Sequence, residues 1–320
     1  MNTTPWPDVR PLRRSFFGVP TCGDVERLDA QVVFIGVPFD QGTTNRPGAR
    51  FGPNAVRDAR VYDYFTPFEP EPPPAGGLYD VDLGTELLKG VSMADLGDIN
   101  VAPSNVELAF DRLTRTVQRV VEKGAFPVVV GGDHSITFPV VRGLERFAPL
   151  GIVHLDAHLD YTHDYQGVRY YHGSPIRRCA ELPFVGPISH IGIRAVRRKP
   201  VEEARQRGNL IISAERFRLV GAKGVADLLP PSPYLYISLD IDVLDPVVAP
   251  GTGTPAVGGL TYLEVRDFLR AVAHRGKVVA FDLVEVAPEY DHAQVTALAA
   301  ARLVVDLLAA VFPPDPNNRR

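Results

Sequence analysis

Cysteine is nearly absent from this chain: 320 residues contain two, Cys22 and Cys179. Two thiols cannot staple a fold, and nothing beside either resembles a thiolate metal site, so a reducing compartment is expected. No apolar run approaches the ~18 residues that would cross a bilayer, and residues 1–10 hold no apolar leader core. Membrane spanning and secretion are therefore not expected, and a cytoplasmic location is. Charge of one sign is missing as well, because 34 Lys and Arg face 38 Asp and Glu for a net −4. With no basic block, nucleic acid is not an expected partner; small molecules and further copies of the chain are. What is plentiful is Pro (30) and Gly (28), about 18% of the chain against a usual ~12%. Together with 45% hydrophobic residues, this describes a globular core ringed by structured loops, where chemistry usually sits.

Short apolar runs at 31–37, 126–130, 151–155, 188–193, 234–239 and 277–286 read as buried strands. Between them, 105–123, 135–146, 201–207, 261–275 and 293–311 carry helical spacing. Strands that are apolar throughout and alternate with helices predict an α/β fold, three layers deep, with a mainly parallel sheet covered on both faces. No repeat or linker divides the chain, so one domain spanning 1–320 is expected, with 1–30 as an N-terminal extension. The segment 69–74 (EPEPPP) reads as a stiff extended loop and 313–320 as a flexible tail.

Ligands in parallel sheets bind beyond the carboxyl ends of strands. Four expected ends are rich in Asp, His or Glu: Gly131-Gly132-Asp133-His134-Ser135, Asp156-Ala157-His158-Leu159-Asp160, Asp240-Ile241-Asp242, and Glu285 after Phe281-Asp282-Leu283-Val284. Taken alone, Asp133 or Ser135 could cap a helix, and the glycine pair could be a turn. Asp156, His158 and Asp160 share one parity, so an extended backbone would send all three to one side. Without a cation those carboxylates would repel each other and resist ionisation. Asp240 and Asp242 repeat that logic; their bland alternative is a pair of solvated loop carboxylates.

Charge favours two ions over one. Asp156, Asp160, Asp240 and Asp242 carry −4, which two divalent cations neutralise and one leaves at −2. An oxygen-rich set with two histidines suits Mn²⁺ better than Zn²⁺, with Ni²⁺, Co²⁺ and Fe²⁺ as alternatives. Paired ions acidify a bridging water, so hydrolysis is the expected reaction. His154, inside a strand, reads as a buried structural imidazole, and His163, His190 and His274 as non-catalytic. His172, in Tyr170-Tyr171-His172-Gly173-Ser174-Pro175 on the loop leaving the 156–160 cluster, is placed to carry protons to a leaving amine.

GGDHS (131–135), DAHLD (156–160) and SLDIDVLDP (238–246), in that order, resemble the three metal signatures of the ureohydrolases, the arginase and agmatinase family, over about 36–308. Residues 40–53 and 249–255 resemble the agmatinase branch. The resemblance implies an arginase-like α/β/α fold and hydrolysis of a guanidino compound to urea and an amine by a metal-held hydroxide. It implies that His134, Asp156, Asp160 and Asp240 hold one manganese and His158, Asp156, Asp240 and Asp242 the other. It further implies that Glu285 grips the guanidinium, that His172 shuttles protons, and that the protein is a homo-oligomer, a trimer or hexamer. Arg46, Arg50, Arg177 and Arg178 are expected to serve the fold or subunit contacts.

The sequence departs from the family at its substrate loops. Residues 161–171 lack the Asn and Ser pattern of arginases, which argues against arginine. Ala256 and Val257 stand where agmatinases commonly continue with Glu and Pro, removing a carboxylate from the expected mouth. Arg169, if it faces the pocket, would favour an acidic tail; if it faces solvent, agmatine or a small neutral guanidine stays open. The substrates in view are agmatine, guanidinobutyrate, guanidinopropionate and guanidine itself. A relative that kept the fold without catalysis is the rival class, although such a chain would be expected to lack a metal ligand and none is missing. A dinuclear phosphoesterase fits the metal cluster alone, without an evident Arg or Lys clamp.

Overall fold

The computed structural model describes residues 9–10, 15–59 and 78–313, so the segment 69–74 and nearly all of 313–320 lie outside the described residues. Its strands are β1 (Val9–Arg10), β2 (Val32–Gly36), β3 (Leu78–Asp80), β4 (Thr85–Leu87), β5 (Met93–Ile99), β6 (Phe126–Val130), β7 (Leu150–Leu155), β8 (Val185–Ile193), β9 (Leu210–Ser213), β10 (Tyr234–Asp240) and β11 (Lys277–Val284). Nine form one sheet in the order β1-β5-β2-β6-β11-β10-β7-β8-β9, while β3 and β4 make a separate hairpin. Every pairing in the large sheet is parallel except that of the two-residue β1 with β5.

Alternating strand residues feed two separate cores. Val32, Phe34, Val128, Ile237 and Phe281 pack on one face; Val33, Ile35, Val129, Tyr236 and Val279 pack on the other. The first face is covered by α1 (Gly52–Asp58), α6 (Ala214–Val220), α7 (Ala222–Leu228), α8 (Tyr262–Val272) and α9 (Val295–Val311). The second is covered by α2 (Val106–Glu122), α3 (Thr137–Arg142), α4 (Pro175–Ala180) and α5 (Arg198–Gln206). This is the three-layer α/β/α arrangement expected from the sequence. Helix starts follow local chemistry: Asn105 accepts the N–H of Leu108 at α2, and Thr261 with Glu264 forms a capping box at α8.

Three expectations change. β5 was not anticipated, because Asp95, Gly97 and Asp98 interrupt its apolar run. The buried Arg57 compensates them, its guanidinium 2.9 Å from Asp95 and 2.6 Å from Asp98. The helix expected at 135–146 stops at Gly143, which lies so close to α2 that a Cβ would sit 2.9 Å from the Thr114 carbonyl oxygen. Finally, His292–Val311 is long and apolar enough to cross a membrane by length and composition, contrary to the reading that no such run exists. It is a core helix here: Leu303, Val304, Leu307 and Leu308 are fully buried, each contributing about 1.5–3 kcal/mol, and the buried Asp306 accepts from Tyr262 and Arg270.

Candidate metal centre

The four central strands β6, β11, β10 and β7 end at one level, since Val130 is in register with Leu283, Val284 with Asp240, and Leu239 with Leu155. Neighbouring strands lie about 4.8 Å apart, so the residues that leave these ends share a patch roughly 14 Å wide. His134, Glu285, Asp240 and Asp156 all emerge there. Gly132 makes the first turn possible, because a Cβ on it would sit 1.5 Å from the Phe39 carbonyl oxygen.

The candidate ligands converge by a route the alternation argument did not anticipate. β7 ends at Leu155, so Asp156, His158 and Asp160 are not in extended strand, and Asp160 takes a left-handed backbone at φ +48°. Asp240 closes β10 and its carboxylate accepts the Asp242 N–H at 2.9 Å, which turns Ile241–Val243 into a tight helical turn. Turns, not strand parity, bring these side chains together.

Two clusters result. Nδ1 of His134 is fully buried and lies 3.2, 3.0 and 3.1 Å from carboxylate oxygens of Asp156, Asp160 and Asp240, none at an angle that makes a hydrogen bond. Nδ1 of His158 lies 3.3 Å from Asp156 and 3.0 Å from Asp242. Donors bound at right angles, each ~2.0–2.2 Å from a common divalent ion, are about 3.0 Å apart, which is the spacing found. The donor set therefore fits cations, and Asp156 belongs to both clusters. Electrostatics agree: burial and the charges of Asp242 and Asp156 push the Asp240 carboxyl well above its usual range. Burial opposes a charged His158, but Asp242 and Asp156 outweigh it and raise that imidazole to about 12.

The ligands are held from behind. Nε2 of His134 lies 3.0 Å from the Ser238 hydroxyl. A buried chain runs from Asn209, whose amide N–H donates to Nε2 of His190 at 3.0 Å, through His190 Nδ1–H to His154 Nδ1 at 3.0 Å, to His154 Nε2–H donating to Asp156 Oδ2 at 2.8 Å. An amide nitrogen can only donate and a carboxylate can only accept, so with Nδ2 of Asn209 facing His190 the chain is satisfied by the Nδ1–H tautomer of His190 and the Nε2–H tautomer of His154. Burial, which keeps His190 well below the ordinary histidine range, is consistent with this. His154 is thus a hydrogen-bonded, buried imidazole, as expected. Ser238 and Asn209 were not anticipated; a serine inside an apolar strand was a signal for the first, and nothing in the sequence marked the second.

Glu285 stands beside the clusters with a left-handed backbone at φ +65°. Its Oε1 accepts the His134 backbone N–H at 2.9 Å and lies 3.2 Å from Nδ1 of His172, while Oε2 makes no hydrogen bond among the described residues. Nε2 of His172 lies 2.7 Å from the Thr44 hydroxyl. Burial disfavours the imidazolium, but Glu285, Asp160 and Asp133 outweigh it and raise His172 to about 9. Asp133 is not among the candidate ligands: it accepts the Gly42 N–H at 2.7 Å and the Ser135 N–H at 2.9 Å, tying down the 40–44 loop. Burial and then the Glu285 charge raise it to about 7.

His158, Asp160, His172, Asp240 and Glu285 open into a cavity of about 470 Å³ lined also by Tyr161, Tyr165, Tyr171, Thr254 and Arg197. Arg169 is not in its wall; it faces outward and pairs with Glu181 at 2.8 Å. Ala256 lies outside the wall too, its carbonyl accepting from Arg194 at 2.8 Å. Arg46, Arg50, Arg177 and Arg178 are tied to Thr252, Asp40, Glu203 and Glu181 respectively.

Parallel α/β/α architecture with histidine and aspartate clusters at its carboxyl edge defines a class of metal-dependent hydrolases. The arginase-family model matches residues 30–310, and the chain belongs to the arginase family, hydrolases of amidino C–N bonds acting on guanidino compounds. Human mitochondrial guanidino acid hydrolase is 36% identical over 93% of this chain and 82% of its own length. Mitochondrial agmatinase of Gallus gallus is 37% identical over 93% of this chain and 85% of its own. The solved proclavaminate amidino hydrolase of Streptomyces clavuligerus superposes with a TM-score of 0.82 at 36% identity, covering 94% of this chain and 97% of that one. Relatives named for different substrates are equally similar, so identity alone does not choose among them.

Proposed function

We propose that this protein is a binuclear, manganese-dependent amidinohydrolase that cleaves agmatine or a related small guanidino compound to urea and an amine. The observation that carries the reading is the buried Nδ1 of His134, which faces three carboxylate oxygens at 3.0–3.2 Å without a hydrogen bond, next to a second such cluster that shares Asp156. His134, Asp156, Asp160 and Asp240 would hold one ion, and His158, Asp156, Asp240 and Asp242 the other. Ions bound there acidify water and oppose negative charge developing at the reacting carbon. Glu285 has one oxygen committed to His134 and His172 and the other open to a guanidinium N–H. Nε2 of His172 accepts the Thr44 backbone N–H at 3.2 Å and Nδ1 faces Glu285, which with its neighbours raises the imidazole to about 9 and suits it to take up a proton and pass it to the departing amine. Assembly as a trimer or hexamer and a cytoplasmic location belong to the same proposal.

The test is urea release over a panel of guanidino compounds after reloading with Mn²⁺ or Ni²⁺, alongside elemental analysis. Two ions per chain, and loss of both in Asp156→Ala, are expected. Full metal occupancy in that variant would overturn the site assignment.

A further inference from the structure

Building on that reading, we propose that Arg197 recognises a carboxylate at the far end of the substrate, so that the compound cleaved is a guanidino acid and not a guanidino amine. The cavity has two electrostatic ends. Its floor, with Asp160, Asp240, Glu285 and His172, is where a guanidinium would sit. Its outer wall carries Asp164 and Arg197 beside Tyr165, Val196 and Pro200.

Of the two outer charges, Asp164 is already engaged. One oxygen lies 2.8 Å from Nδ1 of His163 and the other accepts the Gly167 N–H at 3.0 Å. Arg197 is exposed and makes no hydrogen bond or ion pair among the described residues, although its positive charge reaches the Tyr171 hydroxyl in the same wall. Neighbouring cations are spoken for: Arg198 pairs with Glu202 at 2.7 Å, Arg177 with Glu203 at 2.6 Å, and Arg194 donates to the Asp242 carbonyl at 2.6 Å. Arg197 also immediately precedes α5, whose first turn contains no acidic residue and no side-chain cap, so the positive end of that helix lies uncompensated beside it. A long guanidinium with free donors next to a helix N-terminus favours a carboxylate, and opposes an ammonium, at the outer end of a guanidine seated below. The sequence left this role to Arg169 only if it faced the pocket; the fold turns Arg169 outward to Glu181, and Arg197 comes from the loop after β8.

The experiment compares the manganese-reloaded wild type with Arg197→Ala, Arg197→Lys and the neighbouring control Arg198→Ala. The substrates are 4-guanidinobutyrate, agmatine and the tail-less reference butylguanidine. The expected result is a wild-type kcat/KM at least tenfold higher for 4-guanidinobutyrate than for agmatine. In Arg197→Ala the loss on the acid should exceed that on butylguanidine at least tenfold and appear mainly in KM. Arg197→Lys should recover part of it, Arg198→Ala should keep the wild-type ratio, and added KCl should narrow that ratio. A wild type that prefers agmatine, or an acid-to-amine ratio within twofold of wild type in Arg197→Ala, overturns the proposal. If no guanidine is cleaved, the amidinohydrolase reading fails by itself. Calorimetric binding of 4-guanidinobutyrate to metal-loaded wild type and Arg197→Ala then decides the carboxylate site, and equal affinities reject it.

Discussion

Replacing Asp240 by asparagine removes one negative charge from a buried cluster while keeping its shape and the oxygen that accepts the Asp242 N–H at 2.9 Å. Oxygens of Asp240 and Asp156 lie 3.1 and 3.2 Å from the same His134 nitrogen, so they are at most about 6 Å apart. Two like charges at that distance repel by roughly 3 kcal/mol at an effective dielectric of 20, partly offset by a nearby imidazolium. The metal-free Asp240→Asn protein should therefore be more stable than wild type at pH 8, by about 1–3 kcal/mol. The sign follows from the raised Asp240 carboxyl, which favours folding while protonated and loses that contribution as pH rises through its folded pKa. The advantage of the amide should thus fade toward pH 4. Bound metal reverses the order. An ion at 100 times its Kd stabilises wild type by about 2.7 kcal/mol per site, and a variant lacking a carboxylate proposed to serve both ions should forfeit most of that. Urea unfolding at pH 8, with EDTA and then with excess MnCl₂, reads both signs. An Asp240→Asn protein less stable than wild type under both conditions would refute the charge argument.

Glu285→Gln should keep two ions per chain by elemental analysis while kcat/KM on the best guanidino substrate falls about 100-fold, some 2.7 kcal/mol of transition-state binding; near-wild-type turnover would end its assigned role. Because His172 serves as a donor only when protonated, kcat/KM should decline as pH rises through about 9, and that limb should move to lower pH in Glu285→Gln, where the carboxylate that raises His172 is gone. Asn209→Leu removes the donor that sets both buried tautomers, so Mn²⁺ affinity measured by chelator competition should weaken about 10- to 100-fold. An unchanged affinity would mean that the chain behind Asp156 does not orient it.

The apolar runs at 126–130, 151–155 and 234–239 were readable as parallel strands because a sheet covered on both faces needs no alternation. The clusters were readable because carboxylates and histidines gather at the ends of four of the apolar runs, where a parallel sheet places its ligands. Those local patterns depend on neighbours within a few residues, which is why the layers and the candidate ligands could be named in advance. Charge far away in sequence was not readable. β5 exists because Arg57, some forty residues earlier, neutralises Asp95 and Asp98 inside it. The convergence of Asp156 and Asp160 depends on a left-handed turn at Asp160 that no period in the sequence describes. Asn209 reaches Asp156 only through two histidines on adjacent strands. Which arginine faces the cavity is a matter of loop packing: Glu181 holds Arg169 on the outside, and no partner holds Arg197 among the described residues. Tertiary structure decided these points because each depends on a partner brought close by the sheet and not by the chain.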